Sequence, residues 1–351
     1  MRFITVIISL MLLVVSCTSD IQPEELTYEN KMFIITPGDI NDNDFNSLVV
    51  KAKEQFIYQE DLYIHIEEMI IPERLFTVIP EAIEDGFNIF WLHGTQFNTQ
   101  TIEIAALYPD INFIIESIED QNYYNNIWVI DRRDHKGFYL LGFLAAQVTQ
   151  TNKVAWIGGI ELPYAYGEIN AVQQGLLDGG FNGVLYYKFV GDFNDAVGAK
   201  FITELLIEDE VDFIISSINL GNTGIFKAIE NNINYQMFLT TKYTNKYELA
   251  PKDAYITSFL YNYYPVLNEV INNITKNETG SFFAVKYNPF YNNSLYFPLH
   301  NVSEEICDII QIISNQIYLE QIEIITNFET IEEIIELKGK YHNCILCEGD
   351  E

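Results

Sequence analysis

Basic residues are scarce in this 351-residue chain: 19 lysines and arginines stand against 50 aspartates and glutamates, a formal net charge of −31. That deficit excludes a nucleic-acid binder, because so acidic a surface repels phosphate backbones. It equally excludes electrostatic adhesion to an anionic bilayer. Cysteines are few, four in all. The Cys344-Ile-Leu-Cys347 stretch lacks both the second ligand pair of a zinc site and the surrounding unit of a redox motif, so it reads as a local disulfide or two plain thiols. A Walker-type phosphate loop and a Gly-x-Ser-x-Gly elbow are missing too. None of the five histidines stands beside an evident nucleophile. No catalytic residue, cofactor or metal is therefore assigned, and the chain is not read as an enzyme. What is plentiful is apolar: 48% of residues are hydrophobic, and the acidic ones are dispersed, which is the pattern of a globular protein.

The first apolar run, Phe3 to Val15, is too short for a stable membrane span and suits the core of a secretion signal. It ends in Val14-Val15-Ser16-Cys17, the close of a bacterial lipoprotein signal, in which the cysteine thiol receives the lipid. Residues 1–17 are read as that signal, with Cys17 lipidated and the mature chain anchored at the cell membrane, facing the periplasm or the exterior. Residues 18–30, polar and acidic with Pro23, read as a tether.

About 320 residues follow, enough for two cores. Short apolar runs at 33–36, 63–66, 89–92, 111–115 and 127–130 predict strands, with helical segments between most of them. After residue 150 the rhythm restarts, with strands at 153–157, 184–189, 212–216 and 236–240. This alternation is that of parallel, doubly wound sheets. The expected fold class is α/β with two Rossmann-like lobes. The first takes 31–150 plus about 258–280, the second 151–257 plus about 281–340, and 341–351 form a tail. In such sheets ligands lie beyond the carboxyl ends of strands, so the loops there deserve inspection.

The loop after the first strand runs Gly38-Asp-Ile-Asn-Asp-Asn-Asp-Phe-Asn46, and Asp44 or Asn46 is the expected cap of the next helix. Its aspartates invite a calcium reading, but the sixth and twelfth positions of an EF-hand, counted from Asp39, are here Asp44 and Val50. An aromatic, Phe45, beside amides and carboxylates suits a polar, ring-bearing ligand better. The stretch 39–46 resembles the signature loop of the basic membrane protein family, substrate-binding lipoproteins of ABC importers that include purine nucleoside receptors. His93-Gly-Thr-Gln-Phe97, Tyr108-Pro-Asp-Ile-Asn-Phe113, Lys136-Gly-Phe-Tyr-Leu-Leu-Gly142, Lys153-Val-Ala-Trp-Ile-Gly-Gly159, Val190-Gly-Asp-Phe-Asn-Asp195 and Gly221-Asn-Thr-Gly-Ile-Phe226 resemble further family stretches in the same order.

The resemblance implies a type I periplasmic-binding-protein fold with a hinge, three crossovers and a ligand in the interlobe cleft. It implies Phe45 as the stacking residue, with Asp42 and Asn46 beside it, Phe97 and Glu116 from the first lobe, and Asn222 and Thr223 from the second. Two positions depart from the family: Thr241 stands where an aspartate is common and Tyr261 where a lysine is. Both are included as cleft residues. A lone threonine cannot accept from two adjacent hydroxyls as a carboxylate does, so ribose recognition differs here. The expected function is capture of a small, polar, aromatic, nucleoside-like solute by a monomer that passes it to an ABC permease. The alternative is a surface lipoprotein of the same fold whose solute site has diverged and which serves as an adhesin or host-contact protein.

Overall fold

The structure, a computed structural model, describes residues 28–56, 61–118 and 124–325, together with the backbone of Cys344–Glu348. The signal, Cys17, most of the tether and the side chains of Cys344 and Cys347 lie outside the described residues.

The chain begins with β1 (Asn30–Ile35), α1 (Ser47–Gln55), β2 (Leu62–Glu67), α2 (Leu75–Glu84), β3 (Ile89–Leu92), α3 (Asn98–Ala105), β4 (Asn112–Glu116) and β5 (Ile127–Asp131). It continues with α4 (Asp134–Val148), β6 (Lys153–Gly158), α5 (Pro163–Asp178), β7 (Gly183–Phe189), α6 (Ala196–Glu208), β8 (Phe213–Ser217), α7 (Asn222–Asn231), β9 (Phe238–Tyr243) and β10 (Tyr255–Leu260). Last come α8 (Tyr264–Thr275), β11 (Phe282–Ala284), α9 (Glu304–Tyr318) and β12 (Cys344–Glu348). Two six-stranded sheets result, ordered β11-β5-β4-β3-β1-β2 and β10-β9-β8-β6-β7-β12, with every pairing parallel.

Side-chain alternation explains why the strands are apolar on both faces. Met32, Ile34, Ile89 and Trp91 enter one core, while their neighbours Phe33, Ile35, Phe90 and Leu92 enter another. In the second sheet Phe213 and Ile215 join the first of these cores and Ile214 a third. Successive residues of a strand point to opposite faces, so a sheet covered by helices on both sides needs an apolar residue at every position.

Three features differ from the expected boundaries. The chain leaves the first lobe at residues 132–133 rather than near 150, because α4 packs along α5 on the second sheet. A strand and the helix after it need not share a lobe, and the alternation alone does not show where they part. Next, β11 pairs with β5, so the first lobe reaches past 280. Finally, part of the expected tail forms β12 beside β7. The remaining edge of that sheet, β10, is covered by residues 294–300 in antiparallel contact: Leu260 N–H donates to Ser294 O at 2.9 Å and His300 N–H to Ile256 O at 3.0 Å. An uncovered edge would offer free N–H and C=O groups to other chains.

The α4–α5 contact depends on two glycines. A methyl group on Gly142 would lie 2.2 Å from the Val172 carbonyl oxygen, and one on Gly175 would lie 2.0 Å from that of Tyr139. Both obstacles are backbone, so neither can swing aside. Gly142→Ala is expected to destabilise the protein by about 2–3 kcal/mol, the upper range for overpacking, read as a lowered midpoint in urea with unchanged slope.

Candidate functional site

The carboxyl ends of seven strands meet around one cavity of about 260 Å³. From the first lobe it is lined by Pro37, Gly38, Phe45 and Asn46 after β1 and by Gly94, Thr95 and Gln96 after β3. Arg132 enters from the first crossover. From the second lobe come Ile160, Leu162 and Tyr164 after β6, Asp192, Phe193 and Asn194 after β7, Asn219 after β8, and Tyr243 at the end of β9. The placement follows the rule for open α/β sheets.

The 38–46 loop is fixed from within. Asp42 accepts from the backbone N–H groups of Asp44 (2.8 Å), Asn46 (3.0 Å) and Ser47 (3.0 Å), and from Asn46 Nδ2 (2.7 Å). Asp42, rather than Asp44 or Asn46, thus caps α1. Asn46 Oδ1 accepts from Thr36 Oγ1 at 2.5 Å and Gly38 N at 3.1 Å. Phe45 is held at the cavity wall by His93, whose ring stacks on it at 3.8 Å. His93 Nε2 lies 2.9 Å from Phe45 O and so donates to it, which turns Nδ1 to Glu116 Oε1 at 2.6 Å. Glu116 Oε2 also accepts from the Tyr263 hydroxyl at 3.2 Å.

Behind the cavity lies a buried charged cluster. The Arg132 guanidinium stands 3.7 Å from Glu116 and 3.8 Å from Asp134, with its carbon 5.1 Å from the Tyr164 ring centre and 5.6 Å from that of Phe45. Lys242 pairs with Glu168 at 3.1 Å, both fully buried. Glu168 also accepts from Ser217 Oγ at 2.6 Å and Trp156 Nε1 at 3.2 Å. Burial pushes the Glu168 carboxyl up to about 7 against the pull of Lys242. Burial acts on Asp134 in the same sense, yet Arg132 and Lys242 outweigh it and hold that carboxyl below its ordinary value. Tyr243, a bulky residue at φ +74°, pays for its place over Phe45 with a strained backbone, and such strain clusters at functional sites.

Of the residues singled out from the sequence, the structure brings Phe45 and Asn46 to the cavity. Asp42 caps α1, Phe97 is buried in the first-lobe core, and Glu116 faces His93. Asn222 is turned inward, accepting from Ser216 Oγ at 2.6 Å, and Thr223 donates to Leu220 O at 2.9 Å. Thr241 bonds to Ser258 Oγ at 2.6 Å on the strand face away from Lys242, and Tyr261 donates to Asp134. Sequence reasoning did not single out Arg132, Tyr164, Phe193, Asn219 or Tyr243. Phe193 does lie within the 190–195 stretch that carried the resemblance, and Arg132 directly follows β5.

Two lobes of parallel α/β construction, joined by three crossings around a polar and aromatic cleft, define a type I periplasmic-binding-protein fold. The family described as ABC transporter substrate-binding protein PnrA-like matches residues 29–286, and the chain belongs to it. Over 210 residues it is 26% identical to Basic membrane protein A2 of Borrelia garinii subsp. bavariensis, covering 56% of this chain and 59% of that protein, which is less than two thirds of its length. In fold it is similar to an ABC transporter solute-binding protein from Aeropyrum pernix, with TM-score 0.73, 13% identity and coverage of 89% of this chain and 97% of that one. One from Conexibacter woesei gives TM-score 0.65, 18% identity, and 86% and 100% coverage. Among the described residues no helix is long and apolar enough to cross a membrane.

Proposed function

We propose that this chain is a monomeric receptor, anchored by a lipid on Cys17, that captures a small, flat, polar solute of nucleoside type and delivers it to an ABC permease without making or breaking a covalent bond. The observation that carries the reading is the pairing of Phe45 and Phe193, one from each lobe, on a single cavity edged by Asn46, Gln96, Asn194 and Asn219. Aromatic walls take a planar ring, and side-chain amides suit its mixed donors and acceptors. The cavity is near the lower end of the size range for small-molecule sites, which favours a nucleoside or base over a nucleotide.

Titration calorimetry with a panel of purine and pyrimidine nucleosides tests it. At least one is expected to bind, and Phe193→Ala should weaken that binding roughly 10-fold or more, the usual worth of a base–aromatic stack. No heat from any nucleoside would overturn the solute assignment.

A further inference from the structure

The Arg132 side chain is only 9% exposed, yet it faces the cavity. Its nearest carboxylates, 3.7 and 3.8 Å away, compensate its charge but stand too far for hydrogen bonds. Among the described residues none of its five N–H donors makes a hydrogen bond. A ligand anion would meet Glu116 and Asp134 behind the guanidinium and Asp192 on the cavity wall, so a neutral acceptor suits this position better than a charged one. Across the cleft, Asn219 is buried with its Oδ1 lacking a partner among the described residues. A buried acceptor without a donor is costly, so a ligand N–H there is favoured.

We propose that Arg132 and Asn219 make the cleft selective for a lactam edge, a ring carbonyl beside a ring N–H, as presented by 6-oxopurine nucleosides, over the amino-substituted edge of adenosine. This rests on the nucleoside reading above. An arginine fork matches the carbonyl and N7 acceptors of a 6-oxopurine, and the adjacent ring N–H points on towards an acceptor. In adenosine both groups are inverted. Its amino group would confront the Arg132 donors, and its unprotonated ring nitrogen would confront Asn219 Oδ1, leaving polar groups unpaired on both walls.

Calorimetry of the whole mature protein with inosine and adenosine decides the matter. Inosine is expected to bind roughly 10–100-fold more tightly, the discrimination typical of a bidentate contact. Arg132→Met should bring the ratio close to one, chiefly by weakening inosine, and Arg132→Lys should give an intermediate ratio. Because Arg132→Met leaves Glu116 and Asp134 uncompensated and is liable to misfold, Asn219→Leu gives an independent arm and should reduce the ratio by itself. Equal binding of both nucleosides by the unaltered protein, or a ratio untouched by the Arg132→Lys and Asn219→Leu substitutions, overturns the lactam inference and leaves the nucleoside reading standing. Absence of binding by either, and by every other nucleoside, overturns both.

Discussion

Lys242→Met is expected to lower stability by roughly 3–5 kcal/mol at pH 8, the cost of removing one partner from a buried ion pair. At about 2 cal/mol/K of unfolding entropy per residue a chain of this length shifts by roughly 1.5 °C per kcal/mol, so the thermal midpoint should fall by at least about 4 °C. The reason lies in what is left behind. Glu168 is fully buried, and even with the ammonium 3.1 Å away burial holds its carboxyl up to about 7. Without Lys242 it rises further. A folded-state value above the unfolded one gives stability that is present at low pH and lost as pH rises through the folded value, so the damage in Lys242→Met should shrink at pH 6 and grow at pH 8. Adding Glu168→Gln removes the stranded charge and retains an acceptor for Ser217 and Trp156. The double variant should therefore be more stable than Lys242→Met alone at pH 8 and show less of this pH dependence. Strict additivity of the two changes in thermal melts would contradict the pairing.

Solute affinity should rise about tenfold between pH 7 and pH 5 through Asp44, and Asp44→Asn should abolish that component. Asp44 Oδ2 from the first lobe meets Lys246 Nζ from the second at 3.2 Å, and Thr244 Oγ1 donates across the same gap to Asn43 O at 2.6 Å. These contacts bridge the mouth of the cleft. Burial pushes the Asp44 carboxyl up to about 6, outweighing Lys246. With the lobes apart the group returns towards its ordinary value near 4. Closure then takes up a proton between pH 4 and 6, so it is favoured by acid and loses that advantage as pH rises through 6. Calorimetry at pH 5 and 7 on the protein and on Asp44→Asn measures the difference. Identical pH profiles would mean that Asp44 does not close with the cleft.

The strands were legible because burial on both faces leaves almost unbroken apolar runs such as Ile89–Leu92. The site was legible as a set of loops, those after the strands, but not as a set of side chains. Asp42, Phe97, Asn222 and Thr223 lie in or beside segments that line the cavity, while Glu116 ends β4, which contributes no lining residue; each is turned towards backbone or core by packing that chain spacing does not encode. Asp and Asn serve helix caps and ligands with the same atoms. The two positions that depart from the family, Thr241 and Tyr261, carry no charge. The structure supplies charge from neighbours instead: Lys242, one residue along and on the opposite strand face, and Arg132 in the first crossover. A lysine inside the otherwise uncharged strand Phe238–Tyr243 is itself a signal of a buried partner, because lysine is rarely fully buried unpaired. Nothing in chain order shows that the partner is Glu168.

Arg132 and Arg133 are also where the chain passes from β5 to α4, with Arg133 at φ +55°. The guanidinium that faces the cavity is thus mounted on a pivot. In a hinge motion about the three connections this side chain would travel with the crossing, whereas Phe45 and Phe193 belong to one lobe each. On the proposed lactam reading, a solute held by Arg132 would therefore select a particular hinge angle as well as a particular edge of the ring. A molecule that fills the space but offers Arg132 nothing to hold would leave the receptor ajar.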